Sequence, residues 1–394
     1  MGVHQKPSNS GPLIRASQDA VGIRRRLRAW FARHKRDLPW RRSRDPYAIW
    51  LSEMMLQQTQ VVTVIPYYNR FIGRFPTVTA LARADLEEVL RYWAGLGYYA
   101  RARNMHRAAR LIVAEHGGAF PSDAAALRRL PGIGAYTAGA VASMAFDERA
   151  AVVDGNVARV LARLFEVDLD IGDGRGKALL WEIAERLLPR KDCGDFNQAL
   201  MELGATVCLP RGAARCEACP LETFCGARRS GSVERLPVKA RQAAPRSESH
   251  VVAAIQRHGK WLAVRRPSRG LWGGLWELPT AVMNGSADRA AARDLIKGLI
   301  SGDGHIATKP FCRIQHQLTH RTITLVGHVC HVAAPRRVGR RAKKRVRGHH
   351  RQPDRETRWL SLEEINKLGL SAAMRKVVGA LELSLAREAM TTDS

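Results

Sequence analysis

Acidic residues are scarce in this chain: 36 Asp and Glu stand against 64 Lys and Arg in 394 residues, leaving a formal charge of +28. That imbalance exceeds what solubility needs and calls for a polyanionic partner, nucleic acid before an anionic membrane surface. Long apolar runs are missing as well. No stretch reaches the ~18 residues of a membrane-spanning helix, and the N-terminal MGVHQKPSNSGP lacks the apolar core of a signal peptide. A soluble, cytoplasmic protein with no membrane partner is expected. Nor are the seven cysteines spread as a disulfide framework would require. Cys208, Cys216, Cys219 and Cys225 fall together, while Cys193, Cys312 and Cys330 stand singly. Clustering of that kind in an intracellular chain points to a metal centre.

A length of 394 residues with 45% hydrophobic content supports two or three domains with a full core. Residues 1–18 are expected to be disordered. From Asp19 to Cys225 the pattern is helical with short polar breaks, and 226–248 (rich in Ser, Pro and charge) is a linker. Residues 249–390 then mix alternating β-branched runs, HVVAAIQ and RTITLVGHVCHV, with helical patterns near 287–300 and 371–385. The fold class is therefore multidomain, an all-α domain carrying a metal loop followed by an α+β domain. A basic insertion, 335–352, belongs to neither pattern; between Arg336 and Arg351 it holds nine Lys or Arg and no acid. It is read either as a solvated loop or as a phosphate contact.

Chemistry concentrates in four places. In LPGIGAYTAG, Gly132 and Gly134 allow a tight turn whose amides point outward at the start of a helix, an anion site suited to a DNA phosphate. Eighteen residues beyond Tyr136, the stretch VVDGNVARV puts Asp154 at a helix start. The third is Glu53, on a helix opened by Asp45-Pro46 and running through YAIWLSEMMLQQTQVV. Its helical neighbours Ile49, Trp50 and Leu56 are apolar, so its carboxyl is expected to be desolvated. An ordinary glutamate is protonated in only about one molecule in 500 at pH 7, whereas one raised to roughly 6–7 is ready to donate. One neutral and one ionised carboxyl are what acid-assisted cleavage of a glycosidic bond needs. The fourth is CLPRGAARCEACPLETFC. With a single C-x2-C pair, its spacing suits a zinc site and a 4Fe-4S cube about equally.

WLSEMMLQQTQV, GLGYYARARN, LPGIGAYTAGA, VVDGNVARV, DFNQALMELGA and the four-cysteine loop occur in order over residues 19–225. Together they resemble adenine DNA glycosylases of the MutY type, and the later GLWGGLWELP and HQLTHRTITL resemble that family's Nudix-like domain. The resemblance implies a helix-hairpin-helix glycosylase, acting as a monomer, that removes adenine mispaired with 8-oxoguanine or guanine in double-stranded DNA. By motif, Glu53 would protonate adenine N7 and Asp154 would stabilise the oxocarbenium ion, with Tyr136 and Asn156 supporting them. Gln198 would touch the adenine, Gln58 and Tyr98 would sit in the opened base stack, and Thr319 with His320 would read the lesion. Cys208, Cys216, Cys219 and Cys225 would ligate a 4Fe-4S cluster.

The sequence departs from the family pattern at several points. Seven residues separate Cys208 from Cys216 where six are usual, Thr319 stands where Ser is common, and the basic insertion is unusually long. An endonuclease III-like glycosylase/lyase acting on oxidised pyrimidines shares the hairpin, the aspartate and the cluster. It needs a Schiff-base lysine in the slot that Tyr136 fills. The AARDLIKGLI segment lacks the acid arrangement by which a Nudix hydrolase holds magnesium, so hydrolysis by the second domain is expected to be lost.

Overall fold

The computed structural model describes residues 10–210, 212–240, 244–283, 288–300, 304–332 and 356–392. The basic insertion 335–352 and Arg211 of the cysteine loop lie outside them. The chain divides into two compact units: Met1–Arg83 with Asn104–Gln242, and Ala84–Arg103 with Ala243–Ser394.

Helices dominate the first part of the chain: α1 (Ser10–His34), α2 (Pro46–Leu56), α3 (Val61–Arg74), α4 (Val78–Arg83), α5 (Leu86–Trp93), α6 (Ala100–His116), α7 (Ala124–Leu127), α8 (Ala135–Phe146), α9 (Gly155–Leu164), α10 (Gly174–Leu187), α11 (Cys193–Thr206) and α12 (Gly226–Arg229). Aspartate caps recur at their starts. Asp45, Asp123, Asp154 and Asp173 each accept a backbone N–H of the first turn of α2, α7, α9 and α10, satisfying donors that have no partner within the helix. The core of this unit joins the apolar stripe of α1 to α9, α10 and α11.

Three boundaries differ from the sequence expectation. Residues 10–18 are helical rather than disordered, because the stripe Ala16, Ala20, Ile23, Leu27 begins before Asp19 and is buried along its length. The linker is also shorter than 226–248: α12 occupies its start, Leu236 is buried, and the first strand begins at Arg246. Finally, residues 84–103, expected within one contiguous helical domain, group with the second unit. The helix starting at Pro46 is likewise shorter than YAIWLSEMMLQQTQVV. It stops at Leu56, Gln58 takes a left-handed backbone, and the Gln57 side-chain amide donates to the Thr137 hydroxyl at 3.3 Å.

The second unit is built on an eight-stranded sheet: β1 (Arg246–Arg257), β2 (Lys260–Arg265), β3 (Trp276–Glu277), β4 (Thr280–Val282), β5 (Gly304–Ile306), β6 (Cys312–Gln317), β7 (Arg321–Val332) and β8 (Thr357–Leu360). Its spine runs β3-β2-β1-β7-β5, with β4, β6 and β8 pairing to β1, β7 and β2. Strands β1 and β7 pair in parallel, and both carry unbroken buried runs instead of strict alternation, as strands covered on two faces do. The β1–β2 hairpin turns on His258 and Gly259, both at positive φ, which suits the right-handed twist of the flanking strands. Helix α13 (Asp288–Leu299) lays Ala292 and Ile296 on Val251, Ala253 and Ile255. Two further helices follow, α14 (Leu362–Asn366) and α15 (Ala372–Thr392). The expected α+β character holds, with strands and helices where the alternating and helical patterns placed them.

Candidate active site and cysteine cavity

Helix α2 is buried from Tyr47 to Met55, on every face and not on one stripe alone. Glu53 is therefore the lone carboxylate of an otherwise apolar helix, 5% exposed. Its Oε2 accepts from the Tyr136 hydroxyl at 2.5 Å. Tyr136 is the second residue of α8, so the hairpin before α8 aims it. There Gly132 has φ +79°, and a Cβ would meet the Asn104 Cβ at 2.6 Å, so only glycine fits the turn. Gly134 is the extended N-cap residue of α8. Loss of solvent raises the Glu53 pKa to about 7; the Asp154 charge adds to this, and the Tyr136 hydrogen bond and the Arg41 cation oppose it.

Asp154 has a different environment. It accepts from Val157 N at 2.7 Å and from Asn156 Nδ2 at 3.0 Å. Burial pushes its carboxyl above the ordinary value, while these donors and the nearby Arg159 charge favour the ionised form. Asn156 is held in turn by Arg159, which donates to Asn156 Oδ1 at 2.9 Å, Gly204 O at 2.7 Å and Cys208 O at 2.7 Å. The close approach needs glycine on α11, because a Cβ at position 204 would lie 2.7 Å from the Asn156 Cβ.

One cleft of about 1600 Å³ collects Glu53, Gln58, Gly132, Gly134, Tyr136, Asp154, Asn156 and Gln198. All these sequence candidates lie in the first unit. Tyr98, Thr319 and His320 belong to the second, where the Tyr98 hydroxyl hydrogen-bonds the Thr319 hydroxyl. Tyr98 is 46% exposed and takes a left-handed backbone (φ +48°), uncommon for a bulky residue. Sequence reasoning missed Arg36, Arg41, Met201, Glu202 and Arg159, which share the cleft wall. Helical spacing could have found three of them. Met201 and Glu202 follow Gln198 at i+3 and i+4, and Arg159 follows Asn156 at i+3.

A second cavity is bordered by Cys208, Cys216, Cys219 and Cys225, with Arg163, Arg215 and Arg228 beside them. All four thiols are free, and burial pushes Cys219 and Cys225 up. Arg163, itself buried, sends Nη1 to Cys208 Sγ at 3.4 Å, and its Nη2 has no hydrogen-bond partner among the described residues. Cys193 is apart from this group, buried in the helical core at the start of α11.

Residues 51–186 match the family model for the HhH-GPD superfamily base excision DNA repair protein, and residues 250–380 match that for the NUDIX domain. The class is thus a helix-hairpin-helix repair protein joined to a Nudix-like domain. A rat adenine DNA glycosylase is 36% identical, covering 92% of this chain and 78% of its own. A human adenine DNA glycosylase is also 36% identical, covering 95% of this chain and 77% of its own. A solved thermostable thymine-DNA glycosylase is 32% identical over 54% of this chain and 98% of its own, with a TM-score of 0.49. The chain belongs to the adenine DNA glycosylase family.

Proposed function

We propose that this protein excises adenine from duplex DNA, where adenine is mispaired with 8-oxoguanine or guanine, by hydrolysing the N-glycosidic bond. The observation that carries the reading is the pairing of Glu53, desolvated and held by Tyr136, with the N-cap carboxylate Asp154 in one cleft. With its pKa near 7, Glu53 holds a proton often enough to give it to adenine N7 as the base leaves. Asp154, whose donors favour its ionised form against the effect of burial, stabilises the positive sugar and the water that attacks it. Gln198 and Gln58 both line the cleft; Gln198 would meet the adenine and Gln58 the opened stack. Because Tyr136 occupies the lysine slot of a lyase, no Schiff base forms and the product is an intact abasic site. In the second unit, the Thr319 hydroxyl accepts the N7–H that distinguishes 8-oxoguanine, with His320 beside it.

All four thiols border one cavity, the donor set that a thiolate-bound 4Fe-4S cluster would take. The half-buried thiols and the Arg163 guanidinium, with one Nη unpartnered among the described residues, suit an anionic thiolate-bound group. Such a cluster would order the basic loop for backbone contact and take no part in base release. Purified protein is expected to carry about four irons; stoichiometric zinc without iron in anaerobic preparations would refute the assignment.

The central test uses duplexes with adenine opposite 8-oxoguanine, incubated with protein and then split into samples with and without hot alkali. Strand breaks are expected only after alkali. Breaks without it, together with a borohydride-trapped adduct, would favour a lyase. No release of adenine at all would overturn the reading.

A further inference from the structure

Glu202 lies on α11, one residue beyond Met201, whose sulfur faces the Tyr136 hydroxyl at 3.4 Å. Its side chain is wholly buried. Two arginines converge on it: Arg36 through Nε at 2.6 Å and Nη2 at 2.9 Å, and Arg41 through Nη2 at 2.8 Å. The Arg36 amide adds a fourth donor at 3.3 Å, and Arg41 also donates to the Arg36 carbonyl at 3.2 Å. Burial alone would push the Glu202 carboxyl up, but the two arginines outweigh it and leave its pKa below the ordinary value, so Glu202 is an anion at neutral pH. The triad of two cations and one anion lines the same cleft as Glu53 and Asp154.

We propose that Glu202 is a positioning residue for adenine release: it ties the Arg41 guanidinium to the cleft wall and offsets its charge, so that the neighbouring Glu53 keeps the proton it must donate. The inference rests on Glu53 being the acid of the proposed reaction. Three groups act on Glu53 from the surrounding elements. Tyr136 comes from α8, Asp154 from the start of α9, and Arg41 from the turn before α2; of these only Arg41 is a cation. Arg159, another arginine of the cleft wall, is engaged by Asn156, Gly204 and Cys208. With Glu202 neutral, the partly exposed Arg36 and Arg41 guanidiniums would face the cleft with no acid between them. Arg41 would then favour the ionised form of Glu53, in the direction its charge already acts.

The experiment is the pH dependence of single-turnover adenine release by the full-length protein, comparing the parent with Glu202→Gln, Glu202→Asp, Arg41→Gln and the double variant Glu202→Gln/Arg41→Gln. The parent rate should fall as pH rises past about 7, through the Glu53 pKa. In Glu202→Gln this alkaline limb should move to lower pH by on the order of one unit, a tenfold loss at pH 8 that fades toward pH 5.5. Glu202→Asp, which keeps the charge, should hold the limb in place. The double variant should return it, and Arg41→Gln alone should move it to higher pH. A uniform loss at every pH with an unmoved limb would overturn the proposal and leave Glu202 a structural ion pair. Should Glu202→Gln fail to fold, Arg41→Gln decides: an unmoved limb there also overturns it. A parent that releases no adenine would strike the proposed function and not this inference, so the two failures are distinguishable.

Discussion

In the first unit the Glu53 carboxyl is buried with the Tyr136 hydroxyl as its hydrogen-bond donor, whereas in the second the Glu277 carboxyl, 3% exposed, is met by Arg266 Nη1 at 2.8 and 2.7 Å from its two oxygens. Arg266 is itself anchored, donating to Leu271 O at 2.9 Å and lying over the Trp272 ring. A neutral donor leaves the Glu53 proton exchangeable; a guanidinium gives Glu277 a charge-assisted bond to each carboxyl oxygen. Glu202 shows that the first unit can do the same when structure requires it, with two arginines in place of one. Burial is common to all three acids, and the partner decides which of them is available for chemistry.

Breaking the reactive member should have the largest effect. Glu53→Gln is expected to slow adenine release by about 10²–10⁴-fold, and Asp154→Asn comparably, with mispair binding largely kept. Single-turnover rates within about threefold of the parent would remove the residue from its role. Breaking the structural member should move stability instead. Arg266→Ala takes the guanidinium away from the buried Glu277 carboxyl and should cost about 3–5 kcal/mol, read from denaturant melts, while release measured well below the melting transition stays within a few fold.

A smaller effect separates the two functions of Glu53 itself. Its folded pKa of about 7 lies above that of an ordinary glutamate, so the unfolded chain ionises it first. The neutral form favours folding fully below the unfolded pKa, and that contribution is lost as pH rises through about 7. Glu53→Gln should therefore match the parent in stability near pH 4 and exceed it by on the order of 3 kcal/mol at pH 8. Equal stabilities at pH 8 would show that the carboxyl is solvated. The smallest expected change lies in the second unit. Thr319→Ala with His320→Ala should reduce the preference for adenine opposite 8-oxoguanine over adenine opposite guanine by about fivefold, on the order of 1 kcal/mol. An unchanged preference would place lesion reading elsewhere in that unit.

Several features could be read from the linear order of residues. The Asp45-Pro46 and Asp154 helix starts, the Gly132 turn and the strands over HVVAAIQ and RTITLVGHVCHV depend on contacts within a few residues or on a simple period. The single apolar face assigned to Glu53 understated its burial, since α2 is enclosed by other elements on all sides. The stop at Leu56 was missed because Gln57 is held by Thr137, 80 residues away.

By itself, then, the sequence determined the basic charge, the helical and alternating segments, their caps and turns, and the cysteine group, all of which follow from composition or from neighbours within about one turn. The tertiary structure decided the rest. Only folding assigned residues 84–103 to the second unit, raised the Glu53 proton affinity by burial against the opposing hydrogen bond of a tyrosine 83 residues away, and closed Arg36 and Arg41 on a glutamate 166 and 161 residues beyond them. Desolvation and ion pairing act through space, so their strength is set by which distant side chains the fold brings within about 3 Å and from how much water it removes them.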